Sequence, residues 1–271
     1  MILIVDSGSS KTEFNLIDGE SISHFKCIGL NPFIVSEFII KKSLNQLNLP
    51  FEKVLKVYFY GAGCGTKEKS NLMKSILQKI FVKSKIMIFS DVLAAARSLF
   101  QKNNGVIGIL GTGSNLAIYN GDLVKPFSTS LGYLLGDEGS GNALGKRFIK
   151  SILSDKFDED FELKIGVNKS NILHDLYSHS YPNQYLASFA KLIHKHKTNF
   201  QMAKLINETF DEWIQICLLP NNIKKLSLSG SIAFYFQYEI KKICELHNIY
   251  IDSIIEKPIA GLTLFHKTHV L

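Results

Sequence analysis

The chain opens on an unbroken apolar run, Ile2-Leu3-Ile4-Val5, closed by Asp6 and the turn-rich stretch Ser7-Gly8-Ser9-Ser10. A run this short, bounded by turn residues, predicts a buried strand. From Lys11 to Leu16 the pattern becomes strict alternation, with Thr12, Phe14 and Leu16 on one face and Lys11, Glu13 and Asn15 on the other. Period two predicts a second strand. Asp18-Gly19 then marks a tight hairpin before a third strand around Ser21 to Phe25.

The same order of elements returns about a hundred residues later. Val106-Ile107-Gly108-Ile109-Leu110 leads into Gly111-Thr112-Gly113-Ser114-Asn115, an alternating strand from Leu116 to Tyr119, and the turn Asn120-Gly121. So long a period is not that of a solenoid and fits duplication of a domain, with one glycine-rich hairpin in each copy. Between the hairpins the pattern predicts a helix over Val35 to Leu47, a strand over Val54 to Tyr60, a helix over Lys67 to Phe81, a strand over Ile86 to Phe89 and a helix over Val92 to Phe100. Strands followed by alternating α and β define a layered α/β domain. Beyond Asp122 a long helical region is expected from about Asn142 to Cys217, interrupted near Gly166 and Pro182. A strand over Leu226 to Leu228, a helix after Gly230, a strand near Ile249 to Ile251 and a last helix after Pro258 complete the chain. The pattern divides into an N-terminal domain over 1–115 and a C-terminal domain over 116–271, with room for the last helix to pack back on the first.

Composition adds limits. The chain has 271 residues, 46% hydrophobic and 20% charged, an ordinary globular balance that permits one large domain or two modest ones. The net charge of +7 comes from scattered doublets such as Lys41-Lys42 and Lys224-Lys225, which read as solvated helix faces and give no nucleic-acid partner. The four cysteines lie far apart, so neither a zinc ribbon nor a disulfide framework is expected. No apolar run reaches membrane-spanning length and Asp6 interrupts the first one early, so no membrane partner and a cytoplasmic location are expected. His194 with His196, and His266 with His269, read as solvated helix histidines, not zinc ligands.

Candidate chemistry gathers at the glycine-rich turns. Glycine lets backbone amides converge on an anion without a Cβ in the way, and a neighbouring hydroxyl adds a donor. Ser7-Gly8-Ser9-Ser10-Lys11-Thr12 and Gly111-Thr112-Gly113-Ser114-Asn115 meet this description. The first lacks the full P-loop spacing and leads into a strand, so the P-loop reading is rejected. Gly136-Asp137-Glu138-Gly139-Ser140-Gly141 precedes an amphipathic helix carrying Leu144, Phe148 and Ile152, whose free N-terminal amides would attract a polar ligand. Ser229-Gly230-Ser231 lies between a strand and a helix. Three carboxylates stand beside these turns, Asp6, Asp91 and Asp137. Phosphoryl transfer needs a phosphate cradle, an acid to hold hydrated magnesium and a carboxylate to accept the proton of the attacking hydroxyl.

Taken together, Asp6 to Thr12, Ser90-Asp91-Val92-Leu93-Ala94-Ala95-Ala96, Gly111 to Asn115 and Gly132-Tyr133-Leu134-Leu135-Gly136-Asp137-Glu138-Gly139-Ser140 resemble the N-acetylglucosamine kinase and BadF/BadG/BcrA/BcrD ATPase family, part of the actin-like ATPase and sugar kinase superfamily. The resemblance implies a two-domain actin-like ATPase (ribonuclease H-like) α/β fold with duplicated glycine-rich hairpins and an interdomain cleft. It implies ATP and Mg2+ as cofactors, an amino sugar as the acceptor at its 6-hydroxyl, and allows a homodimer. Asp91 would be the general base, and Asp6 would orient magnesium through water. Gly8, Ser10, Lys11, Thr12, Gly111, Thr112 and Gly113 would meet the nucleotide phosphates, with Gly230 and Ser231 by the adenosine. The sugar would be held by Asn31, Asp91, Ser114, Asn115, Gly132, Tyr133 and Asp137. Leu131-Gly132-Tyr133 stands where the animal enzymes have Gly-Trp-Gly-His, and Pro32-Phe33 follows Asn31 where they have His-Trp, so the identity of the sugar is left open. No iron-sulfur or zinc cysteine cluster of the wider family is present, so no metal beyond magnesium is expected. A second reading is an ATP-binding or ATP-hydrolysing activator of the BadF/BadG type that acts on a partner protein.

Overall fold

The computed structural model of the chain describes residues 1–32 and 35–270, so Phe33 lies outside the described residues. Two compact units separate: Met1–Gly105 with Tyr119–Val124 and Lys257–Leu271, and Val106–Ile118 with Lys125–Glu256.

In the first unit, β1 (Ile2–Ser7), β2 (Lys11–Asp18) and β3 (Ser21–Ile28) are followed by α1 (Glu37–Asn45), β4 (Lys56–Gly61), α2 (Lys67–Gln78), β5 (Lys85–Ser90) and α3 (Asp91–Phe100). The sheet order is β3-β2-β1-β4-β5, with β1, β2 and β3 antiparallel in sequence and β1, β4 and β5 parallel. Leu3, Val5, Phe14 and Leu16 pack with Ile40 and Leu44 of α1 and Met73, Ile76 and Leu77 of α2 in one apolar cluster. Each of these helices starts on a hydroxyl: Ser36 accepts from the Ile39 amide, Thr66 from the Lys69 amide and Ser90 from the Leu93 amide, which satisfies donors that a helix start leaves open.

The second sheet is built from β6 (Asn104–Leu110), β7 (Ser114–Asn120), β8 (Val124–Pro126), β9 (Lys225–Ser229) and β10 (Tyr250–Ile255), in the order β10-β9-β6-β7-β8. Strand for strand this repeats the first sheet, β6 standing for β1, β7 for β2 and so on through β10 for β5. The helices here are α4 (Gly132–Leu135), α5 (Gly141–Leu153), α6 (Glu159–Ile165), α7 (Lys169–Ser178), α8 (Pro182–Ser188), α9 (Ala190–Lys195), α10 (Phe200–Trp213), α11 (Ser231–Tyr235) and α12 (Gln237–Leu246). Leu144, Phe148 and Ile152 of α5 are fully buried with Met202, Ile206, Phe210 and Trp213, as a helical spacing of apolar residues dictates. The helical stretch from Asn142 is more broken than its pattern suggested. It also stops at Leu153, after which Phe157 turns inward against the Phe148 ring and Phe161 meets Phe157 edge-on, and again at His196, ahead of the Asn199 cap that accepts from the Met202 amide.

The last helix, α13 (Ile259–His269), belongs to the first unit. It lies so close to α3 that a Cβ placed on Gly261 would stand 2.1 Å from Ser98 Oγ. His266 is not the solvated helix histidine that was expected. It is fully buried, with Nε2 3.0 Å from the Tyr60 hydroxyl, which also accepts from Arg97 at 2.8 Å. Burial beside the Arg97 charge drives its pKa down to about 4, which keeps the ring neutral. Cys27, Cys64, Cys217 and Cys244 are unpaired thiols. Among the described residues no helix is long and apolar enough to cross a membrane.

Candidate functional site

Parallel strands end together at one edge of the first sheet. Asp6 pairs with Tyr60 and Ser7 with Gly61 across β1 and β4, while Gly61 pairs with Ser90 across β4 and β5. Asp6, Ser7 and Ser90-Asp91 therefore share the carboxyl edge, where α/β sheets bind ligands. The hairpin turn is closed by a bond from the Gly8 amide to the Lys11 carbonyl at 2.9 Å, and Gly8, Ser10 and Lys11 are exposed around it. Thr12 faces inward. Its hydroxyl is 2.8 Å from Ser7 Oγ, and both oxygens accept from the Leu30 amide, at 3.2 and 3.0 Å. Those bonds tie the segment carrying Asn31, itself buried, to the floor of the hairpin. Gly29 is required there because a Cβ would stand 2.4 Å from the Ser9 carbonyl oxygen.

Asp91 is the first residue of α3, yet the cap is Ser90. The Asp91 carboxylate is thus not the one that caps the helix. Its Oδ1 accepts from the Val92 amide at 3.0 Å. Burial raises its pKa above the ordinary aspartate range against the pull of that bond. The pKa of Asp6 is also raised, up to about 7, by burial first and then by the charges of Asp91 and Glu13, with Lys257 acting in the opposite direction.

The Asp6 shift has a sign that can be measured. A carboxyl whose folded pKa lies above its unfolded one costs stability once it ionises, so the cost is absent below about 4 and complete above about 7. The full shift would represent up to ~4 kcal/mol, and partial solvent access halves that to about 2 kcal/mol. Asp6→Asn in chelator is therefore expected to melt above the wild type at pH 8, with the gap closing as pH falls from about 7 to about 4. Paired thermal melts across that range check it, and a variant less stable than the wild type at pH 8 would refute it.

The second unit carries its own polar turn. The Gly111 amide donates to the Gly113 carbonyl at 2.9 Å, and the carbonyls of Gly111 and Thr112 accept from the Gly141 and Asn142 amides at 2.8 and 3.1 Å. The Ala143 amide donates to Ser140 Oγ. The first amides of α5 are thus taken up by the turn and the cap, which corrects the expectation of a free, anion-attracting helix start. They clamp the turn instead. Asp137 holds the turn from the other side: Oδ1 accepts from the Ser114 amide and Oδ2 from Asn142 Nδ2, both at 3.1 Å. Asp137 adopts φ +62°, a left-handed conformation that aspartate tolerates better than most residues. A Cβ on Gly113 would stand 2.8 Å from Asp137 Oδ2.

Gly230, at φ +116°, closes on the same turn: its Cβ would lie 2.4 Å from the Leu110 carbonyl oxygen. Ser231 is exposed at the start of α11. Asn115 turns its Oδ1 to the Leu116 amide. Gly132 and Tyr133 open α4, where Lys146 donates to the Tyr133 carbonyl at 2.8 Å.

Within the first unit the structure thus gathers Asp6, Gly8, Ser10, Lys11, Thr12, Asn31 and Asp91. Within the second it gathers Gly111 to Asn115, Asp137, Gly230 and Ser231, with Gly132 and Tyr133 at the end of the same Gly132 to Ser140 segment. Three contributors were not singled out from sequence: Glu13, Lys257 and Asn142. Asn142 could have been suspected from its place directly after Gly141, inside the first turn of a helix that follows Gly136 and Gly139.

No family model matches the chain. Over its whole length it is similar to a crystal structure from Porphyromonas gingivalis assigned as an N-acetylglucosamine kinase, at 32% identity and a TM-score of 0.91, with 100% of each chain covered. A curated N-acetylmuramic acid/N-acetylglucosamine kinase from Clostridium acetobutylicum is 28% identical over 131 residues, which span 48% of this chain and only 42% of that protein. The fold also matches a ROK family glucokinase from Streptomyces griseus in complex with glucose and AMPPNP, at 14% identity, a TM-score of 0.58 and 98% coverage of both chains.

Proposed function

Because the chain belongs to the N-acetylglucosamine kinase family, within the actin-like ATPase and sugar kinase superfamily, we propose that it transfers the γ-phosphoryl group of ATP to the 6-hydroxyl of N-acetylglucosamine or a closely related amino sugar. The observation that carries this reading is the pair of carboxylates at one strand edge, Asp6 and Asp91, both with raised pKa values beside a serine- and glycine-rich turn.

Asp91 accepts the proton of the sugar hydroxyl as that oxygen bonds to the γ-phosphorus. The bond from the γ-phosphorus to the bridging oxygen breaks, ADP leaves, and Asp91 returns its proton to solvent. A base with a raised pKa is better matched to neutral pH than an ordinary aspartate. Mg2+ keeps several waters and asks for only one or two protein carboxylates. Asp6 fits that demand, whereas among the described residues no cluster of three His, Cys, Asp or Glu side chains could hold a metal directly. When bound with the nucleotide, the ion neutralises charge on the β- and γ-phosphates. Gly8, Ser10, Lys11, Gly111, Thr112 and Gly113 meet the phosphates, and Thr12 fixes the turn from within. Gly230 and Ser231 lie by the adenosine. Asn31, Ser114, Asn115, Gly132, Tyr133 and Asp137 hold the sugar.

Coupled detection of ADP across a panel of N-acetylglucosamine, glucosamine, N-acetylmuramic acid and N-acetylmannosamine tests the reading. Phosphorus–proton NMR of the product then locates the new phosphoester, expected on the 6-oxygen. Slow hydrolysis indifferent to every sugar would instead favour the ATPase activator.

A further inference from the structure

Lys257 is left without a task by this mechanism, although it sits beside the reacting groups. It precedes α13, and its Nζ donates to Glu13 Oε1 at 2.6 Å. Glu13 is the direct cross-strand partner of Asp6 in the β1–β2 ladder, so the two side chains leave the same face of the sheet as near neighbours. That pair lies one residue from the hairpin turn, since Ser7 and Thr12 close the ladder. The carboxylate of Glu13 is set back, with 12% of its side chain exposed, while Lys257 is 42% exposed. A flexible cation is thus held on Glu13, the cross-strand neighbour of Asp6, within electrostatic reach of the Asp6 carboxyl.

We propose that Lys257 is a ligand of the γ-phosphate: Glu13 holds its ammonium beside the turn while no nucleotide is bound, and the ammonium swings to the γ-phosphoryl oxygens when ATP arrives. The inference rests on the kinase reading above. Three carboxylates, Asp6, Glu13 and Asp91, face a nucleotide that is itself strongly anionic, so a positive charge at this spot lowers the cost of bringing them together. Lysine acts on phosphate as a point charge on a flexible stem and needs no fixed fork geometry. Its present bond can be exchanged, because the lysine end of the pair is 42% exposed and water can take its place on the ammonium. Glu13 is not stranded by the exchange, since Lys26 Nζ lies 3.7 Å from the same oxygen. Lys257 also sits close enough to Asp6 to oppose the rise in its pKa.

The test compares AMPPNP and ADP, each with Mg2+, by calorimetry on the full-length wild type, Lys257→Met, Lys257→Arg and Glu13→Gln, with melting temperatures recorded for all. Lys257→Met is expected to weaken AMPPNP about tenfold or more, as loss of a charged phosphate contact does, and to leave ADP within about twofold because ADP lacks the γ-phosphate. Lys257→Arg should recover part of the loss. Glu13→Gln should bind AMPPNP at least as well as the wild type, since the ammonium then has no competing carboxylate. Equal weakening of both nucleotides, no weakening of either, or a loss of AMPPNP affinity in Glu13→Gln as large as in Lys257→Met would overturn the proposal. If Lys257→Met does not fold, Lys257→Gln is read in its place. A wild type that binds AMPPNP but shows no sugar-dependent ADP release would refute the kinase reading alone, because the AMPPNP to ADP comparison still reports on Lys257.

Discussion

Asp91→Asn is expected to lower kcat by about 10²- to 10⁴-fold, the usual contribution of a positioned general base, with ADP affinity within about threefold of the wild type. The substitution is mild for the fold. Ser90 caps α3, so the helix start survives, and an asparagine oxygen can still accept from the Val92 amide that now donates to Asp91 Oδ1 at 3.0 Å. What is removed is the charge and the capacity to take a proton. Since the Asp91 charge helps to raise the Asp6 pKa, the variant should also hold Asp6 ionised at lower pH. Its affinity for Mg2+ should therefore be no weaker than that of the wild type. Steady-state kinetics with ADP calorimetry check this. A loss of nucleotide affinity as large as the loss of kcat would assign Asp91 to the scaffold, and retained turnover would exclude it as the base.

Gly230→Ala is expected to cost about 3 kcal/mol of stability or more, the combination of a backbone conformation nearly confined to glycine with an overlap that neighbouring atoms cannot relieve. Its φ is +116°, and a Cβ would meet the Leu110 carbonyl oxygen at 2.4 Å, the Leu110 carbonyl carbon at 2.8 Å and the Gly111 nitrogen at 3.3 Å. All are backbone atoms entering the Gly111 turn, so relief means moving that turn. Nucleotide affinity should fall with stability, by about tenfold or more if a phosphate contact is lost. Gly166→Ala is the control: its φ is +63° but no heavy atom lies within 4 Å of the new Cβ, and only about 1 kcal/mol is expected from backbone strain. Denaturant melts and ADP titrations of the two variants separate crowding from conformation, and equal effects would refute the argument.

Much of this arrangement could be read from the chain before its structure was known, and what escaped has a common cause. Ile2 to Val5 and the alternation from Lys11 to Leu16 specified β1, β2 and the turn between them, because period and turn chemistry act locally. The repeat of that pattern at Val106 predicted a duplicated domain, and the second sheet does follow the strand order of the first. The same alternation placed Glu13 and Asn15 on a polar face, yet Asn15 is buried and bonds Thr263 at 2.7 Å, across 248 residues of chain. The helix that covers that face returns from the far end of the sequence, and no local period encodes its docking. His266 was misjudged for the same reason. The α5 amides looked free because a glycine-rich segment before a helix reads alike whether a ligand or the protein's own carbonyls satisfy it. Only the bonds from Gly141 and Asn142 to the Gly111 turn decide between those two cases.

Purified full-length protein with Mg2+ and ATP, assayed for ADP with and without N-acetylglucosamine and the other amino sugars, tests the central claim most directly. The account predicts ADP release that rises steeply with at least one sugar, saturates with it, and yields one phosphorylated sugar for each ADP. ADP release that stays the same whether or not any amino sugar is present would contradict it.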